Sequence, residues 1–242
     1  MWLSPWGGYG PPRQARIAAA KAAGYEVDTQ GLALSGPKYY ARFHAATVGL
    51  LQSFGINQFK LDGTGSADKV TPGGAFDSDF AAAMALIQAL RVVRPDLFIN
   101  LTTGTWPSPF WLLTVDSIWR GGEDHEFAGQ GTGRQRWITY RDADTYGGIV
   151  RQSLFYPLNA LMLHGIIFAR HARGLSGDHG GDLPDEVWSY FASGTGLQEL
   201  YVSPDLLKPQ DWDLIARAAR WARLRGPVLK HSHWQGGDPA RD

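Results

Sequence analysis

Gly55-Ile56-Asn57-Gln58-Phe59-Lys60-Leu61-Asp62-Gly63 reads as a buried strand that delivers one lysine and one carboxylate to a glycine-rich mouth. Side chains alternate faces along a strand, so Lys60 and Asp62 share one side while Phe59 and Leu61 share the other. An amphipathic segment, Lys38 to Phe54, precedes the strand and a Gly/Thr/Ser-rich loop follows it. A charged pair at the C-terminal end of a strand between two helices is where an α/β barrel places its chemistry. A structural Lys–Asp pair at a strand end is the alternative that these nine residues leave open.

Outward from this strand the same unit recurs. Strand, loop and helix alternate about six times, with strands beginning at Trp2, Asn57, Leu97, Asp116, Asn159 and Leu197. Helices are expected over Pro11–Ala23, Lys38–Phe54, Asp77–Arg94, Tyr146–Phe155, Asp185–Ser193 and Gln210–Arg225, the last ended by Gly226-Pro227. Gly129–Thr145 reads as a polar, arginine-rich excursion. Strands that are apolar at their starts and polar at their ends, each covered by a helix, predict a parallel sheet. The expected fold is therefore α/β, a (β/α)8 TIM-type barrel with about six of its eight units. The shortage falls at the front, because Met1 to Gly10 opens inside structure. On this reading residues 1–226 form the catalytic barrel from about its third strand onward. Residues 227–242 form an extension toward a missing β domain. Two absent units would leave open sheet edges, which calls for an upstream segment or for pairing with another chain. An open doubly wound sheet is disfavoured, since no Gly-x-Gly-x-x-Gly follows the first strand.

Composition narrows the partners. The chain has 242 residues, is 44% hydrophobic and carries zero formal net charge, with 23 basic and 23 acidic side chains. That is enough for one sizeable core, and it provides no basic run for nucleic acid or an anionic membrane surface. No apolar run is long enough to span a bilayer, and no signal-peptide pattern opens the chain. With no cysteine there are no disulfides and no thiolate chemistry. Ten tryptophans, several beside Gly or Pro, suit sugar rings, whose C–H faces are apolar and whose rims are polar. Trp6, Tyr9 and Trp106 are the candidates for stacking on a sugar.

Two acidic constellations follow predicted strands: Asp62 with Lys60, and Glu123, Asp124 and Glu126 after Trp119-Arg120. Two carboxylates at one barrel mouth are what a glycosidase needs. At roughly 5–5.5 Å they act as nucleophile and acid/base with retention, and at roughly 6.5–9.5 Å they work through water with inversion. A lysine beside the nucleophile favours its ionised form and can donate to sugar hydroxyls.

Phe59-Lys60-Leu61-Asp62-Gly63 resembles the Lys-Trp-Asp strand of the melibiase-like retaining α-galactosidases and α-N-acetylgalactosaminidases. Arg120-Gly121-Gly122-Glu123-Asp124 is similar to that family's arginine followed four residues later by the acid/base aspartate. The resemblance implies that Asp62 is the nucleophile, Asp124 the acid/base, and Lys60 and Arg120 substrate contacts. It implies no cofactor and no metal, and an oligosaccharide or glycan substrate carrying a terminal α-linked galactose-type sugar. There are departures. Leu61 replaces the usual tryptophan, Thr64 the usual asparagine, and Thr102–Trp106 lacks the usual Cys and Arg. Ser4-Pro5-Trp6-Gly7-Gly8-Tyr9 stands where the family has a Glu-Pro-Glu type loop. The chemistry carries over better than the sugar.

Other side chains have weaker patterns. Glu123 is a neighbour that could keep Asp124 protonated, and His125 either tunes that acid or caps the loop. Asp178-His179 is expected on a mouth loop, with Asp178 within reach of substrate. Neither Asp178–Asp182 nor His231-Ser232-His233 has metal-ligand spacing. His164 is a core histidine or, at a strand end, a substrate contact. Arg134, Arg136 and Arg141 read as a solvated loop. Two other functions stay open: a degenerate barrel that binds carbohydrate without turnover, and an isomerase or aldolase using Lys60 as a Schiff base. The carboxylate beside Lys60 stabilises its charged form and disfavours the last.

Overall fold

The computed structural model describes residues 1–102, 108–153 and 155–241. It divides into two compact units, Met1–Thr105 with Leu112–Asp116, and Trp106–Trp111 with Ser117–Asp242. Each is α/β with three parallel strands.

In the first unit the strands are β1 (Trp2–Leu3), β2 (Gln58–Leu61) and β3 (Phe98–Leu101), paired in that order. Trp2 is in register with Lys60, and Lys60 with Asn100. Helices α1 (Gly10–Ala22), α2 (Pro37–Phe54) and α3 (Asp79–Val93) fill the intervals. Helix α2 stops at Gly55, whose left-handed backbone (φ 61°) suits a residue without Cβ. Helix α3 starts on Ser78, whose hydroxyl accepts from Ala81 N–H at 3.1 Å. The core gathers Ala20, Leu32, Leu34, Tyr39, Ala82 and Ala83, while Phe59 and Leu61 of β2 are fully buried. Lys60 between them is half-buried, as alternation requires.

In the second unit β4 (Ser117–Trp119), β5 (Leu161–Phe168) and β6 (Leu197–Val202) pair in order. All eight residues of β5 are buried, as expected of a strand covered on both faces. Helices α4 (Gly133–Thr145), α5 (Leu183–Ala192) and α6 (Pro209–Leu229) complete the unit.

Two expectations fail here. Gly129–Thr145 is not a solvated excursion: α4 opens on a capping box between Thr132 and Gln135 and buries Arg134, Trp137, Arg141 and Thr145. Those positions form one helical stripe, and arginines on it hid the apolar period that would have announced a helix. Arg134 pairs with the buried Glu186 of α5 and donates to the carbonyls of Ile167 (3.1 Å) and Gly177 (2.9 Å). Arg136 alone of the three is exposed. The second failure is Gly226-Pro227, which does not end α6. A residue before proline normally avoids the helical region because its Cβ meets the proline ring, and Gly226 has none. Over Tyr146–Phe155, the described helical segment is one π-type turn, Tyr146–Val150.

Candidate functional site

In the first unit the structure assembles a polar, aromatic setting around Asp62, which is 9% exposed just beyond the end of β2. Its Oδ1 accepts from Tyr9 Oη–H (2.8 Å) and Thr102 Oγ1–H (2.5 Å), and its Oδ2 from Trp2 Nε1–H (3.1 Å). Register explains two of the three donors. Parallel pairing of β1, β2 and β3 carries Trp2 beside Lys60 and Thr102 beside Asp62. The Trp2 indole serves both charges, since the Lys60 ammonium lies 5.3 Å from its ring centroid while its N–H reaches Asp62. Trp6 packs on Gly63, where any Cβ would strike the indole, and meets Tyr9 edge-on at 5.5 Å. Trp6 N–H also donates to Gly63 O at 3.0 Å. Lys60, Asp62, Trp6 and Tyr9 are thus brought together, and Trp2 and Thr102 join them unannounced. Trp106 lies outside the described residues.

Hydrogen bonds from three donors hold the carboxylate in one orientation, and each bond to a charged acceptor contributes about 1.5–3 kcal/mol. Three of the surrounding groups are rings. An oriented carboxylate with an ammonium and aromatic faces beside it is suited to a polar ligand with apolar faces.

In the second unit the loop after β4 carries Asp124. Arg120 is 2% exposed and does not present itself to solvent. Its guanidinium pairs with Asp144 and donates to Gly121 O (2.8 Å) and Glu123 O (2.9 Å), with its carbon 5.5 Å from the Tyr140 ring centroid. Tyr140 in turn accepts from Glu123 N–H at 2.8 Å. The loop turns through Gly121 and Gly122, both at positive φ, and a Cβ on Gly122 would lie 2.4 Å from Asp144. Arg120 therefore shapes the backbone that holds Asp124 out; the Asp124 side chain is 56% exposed.

The group facing Asp124 is His164. Its Nδ1 lies 3.2 Å from Asp124 O and 3.5 Å from Asp124 Oδ1, and its Nε2 lies 3.1 Å from Glu199 Oε2. Trp119 (5.5 Å) and Tyr201 (6.0 Å) pack on the ring. Burial raises the Tyr201 pKa, and the charges of Asp124 and Glu199 push it the same way. Glu199 carried no sequence signal of its own; strand register, pairing it with His164, is what reveals it. His125 makes no hydrogen bond through its buried Nδ1 among the described residues. Asp178 is occupied structurally: its oxygens accept from Asp182 N–H (2.9 Å) and Leu183 N–H (3.2 Å) at the start of α5, and it lies 3.4 Å from Arg134 Nε. Among the described residues no group of three His, Asp or Glu is placed to hold a metal ion. No described helix is long and apolar enough to cross a membrane.

Among solved structures, the fold is similar to the galactosidase domain of an α-galactosidase–sucrose kinase, with a TM-score of 0.62 and 16% identity over 100% of this chain and 32% of that one. It is similar to an α-galactosidase from Lactobacillus brevis, with a TM-score of 0.59 and 9% identity over 95% of this chain and 30% of that one. An α-amylase from Anoxybacillus matches at a TM-score of 0.54 and 14% identity, over 94% of this chain and 57% of that one. The chain thus spans about a third of the two galactosidase chains and just over half of the amylase chain. At these identities the likeness is one of fold. No family model matches the sequence, and no curated protein matches it.

Proposed function

We propose that this chain belongs to a glycoside hydrolase that removes terminal α-linked galactose-type sugars by double displacement with retention. The observation that carries the reading is the Asp62 carboxylate, oriented by Trp2, Tyr9 and Thr102 and flanked by Lys60 and aromatic rings. The fold likeness to galactosidase domains supports it. In the first step an Asp62 oxygen attacks the anomeric carbon, the glycosidic C–O bond breaks, and Asp124 gives its proton to the departing oxygen. In the second, Asp124 takes a proton from water, the water oxygen bonds the anomeric carbon, and the bond to Asp62 breaks. Lys60 and the rings of Trp2, Trp6 and Tyr9 bind the sugar. Arg120 acts on the loop rather than on substrate.

Asp62→Asn tests the nucleophile. On an aryl α-galactoside it should lower kcat by about 10³-fold or more, since it removes one of the two steps' essential groups. Asp62→Ala with added azide should then yield β-galactosyl azide. β-Galactosyl azide formed by Asp124→Ala and not by Asp62→Ala would reverse the assignment, since loss of the acid/base alone gives the α-azide. The exposure of Asp124 favours a second reading, glycan binding without turnover. Retained binding of a galactoside with no release of sugar by the unaltered chain would select it.

A further inference from the structure

His164, between the carboxylates of Asp124 and Glu199, takes no part in the double displacement proposed for Asp62 and Asp124. Strand β5 carries one extra residue between His164 and Ile167, opposite Glu199 and Tyr201 of β6. Such a bulge re-aims the side chains beside it. Gly165 leaves room there for the Tyr190 ring, and the Tyr190 hydroxyl donates to Leu163 O (2.7 Å) and accepts from Glu199 N–H (2.5 Å). The interrupted ladder is thus pinned on both sides of the His164–Glu199 pair.

Both ring nitrogens of His164 face acceptors. Asp124 O is a carbonyl and accepts in every protonation state, while Glu199 faces Nε2 with a carboxyl oxygen. Two arrangements satisfy both contacts. Either both ring nitrogens carry hydrogen and Glu199 is ionised, or Nδ1 carries hydrogen and Glu199 donates to Nε2. In each, one proton is held on the Nε2–Oε2 axis and an Nδ1–H points at Asp124. The titratable groups facing the ring are Asp124 from the loop after β4 and Glu199 and Tyr201 from β6, with His171 edge-on to Tyr201 at 5.0 Å.

We propose that His164, oriented by Glu199, is a positioning residue for the acid/base work of Asp124. This rests on the reading of Asp124 given above. When Asp124 releases its proton to the leaving oxygen, the Nδ1–H of His164 lies beside the new carboxylate, with Nδ1 3.5 Å from its Oδ1. The proton on the Nε2–Oε2 axis can settle on Nε2 as that charge appears, moving between His164 and Glu199 with none gained or lost. The ratio kcat/KM reports the step in which Asp124 acts as an acid.

Two substrates separate this from a packing role: phenyl α-galactoside, whose leaving group needs a proton, and 2,4-dinitrophenyl α-galactoside, whose leaving group does not. For His164→Phe and Glu199→Gln, kcat/KM on the phenyl substrate should fall about 10–100-fold, part of what general acid catalysis is worth. On the dinitrophenyl substrate it should stay within about threefold, and His164→Gln, which restores a donor, should recover part of the loss. Equal losses on both substrates, or no loss on either, would overturn the proposal. Should His164→Phe not fold, His164→Gln and Glu199→Gln decide, with Glu199→Gln again expected to be selective. Asp124→Asn is the control. If it is selective for the phenyl substrate while the His164 and Glu199 variants are not, the inference fails and the assignment of Asp124 stands. If Asp124→Asn spares both substrates, the assignment itself fails.

Discussion

Gly165 has no space for a side chain: a Cβ there would lie 1.8 Å from the Tyr190 ring. That single absence lets Tyr190 reach through β5 and bind the main chain on both strands of the bulge. Tyr190→Phe removes the hydroxyl's hydrogen bonds to Leu163 O and from Glu199 N–H and should cost about 1–3 kcal/mol in urea unfolding. Unchanged stability would mean that the bulge stands without it. At this scale the sequence was legible where chemistry is written in adjacent residues, as in Lys60-Leu61-Asp62 or Arg120 to Asp124. It was silent on Trp2 and Glu199. A tryptophan 60 positions before Asp62 and a glutamate 35 after His164 become neighbours only through strand register, which spacing along the chain does not encode.

Elements were read best where their apolar period was clean. Strand β6 starts at the predicted Leu197, and α2 and α3 differ by a residue or two at their ends. Helix α4 escapes a pattern reading because Arg134 and Arg141 occupy its buried stripe, where burial is made tolerable by Glu186, Ser189 and carbonyl acceptors contributed from elsewhere in the unit. Such partners are invisible in a local window. The start of α2 shows a second device that no local pattern gives. Gly36 lets Glu26 approach closely enough for its carboxylate to accept from Tyr39 N–H at 2.9 Å and Lys38 N–H at 3.4 Å. Partial burial pushes the Glu26 pKa up, but those main-chain bonds and the Lys38 charge outweigh it and hold the group below its ordinary value. A carboxyl lowered in the folded state stabilises above its ordinary pKa, and the benefit is lost as pH falls through the folded one. Glu26→Gln should therefore be less stable than the unaltered chain at neutral pH, with the gap closing below about pH 4. Urea midpoints at the two pH values check this. A gap that persists undiminished in acid would show that the charge is not what caps α2.

For the whole molecule, the alternation of strand and helix was plain in the sequence, since six apolar segments each ended in polar residues and led to a helix. Two units of three parallel strands bear out that α/β reading. A closed eight-unit barrel is a statement about strands beyond these six, and periodicity within the chain has no access to it. The proposed reaction belongs to this scale too: in it a galactosyl group passes through a covalent bond to Asp62. A slow retaining substrate, 5-fluoro-α-galactosyl fluoride, measures this directly by mass spectrometry of the intact protein and its peptides. The expected result is one fluorogalactosyl adduct per chain, on the peptide and residue of Asp62. Turnover with inversion and no adduct, or an adduct on any other side chain, would contradict it.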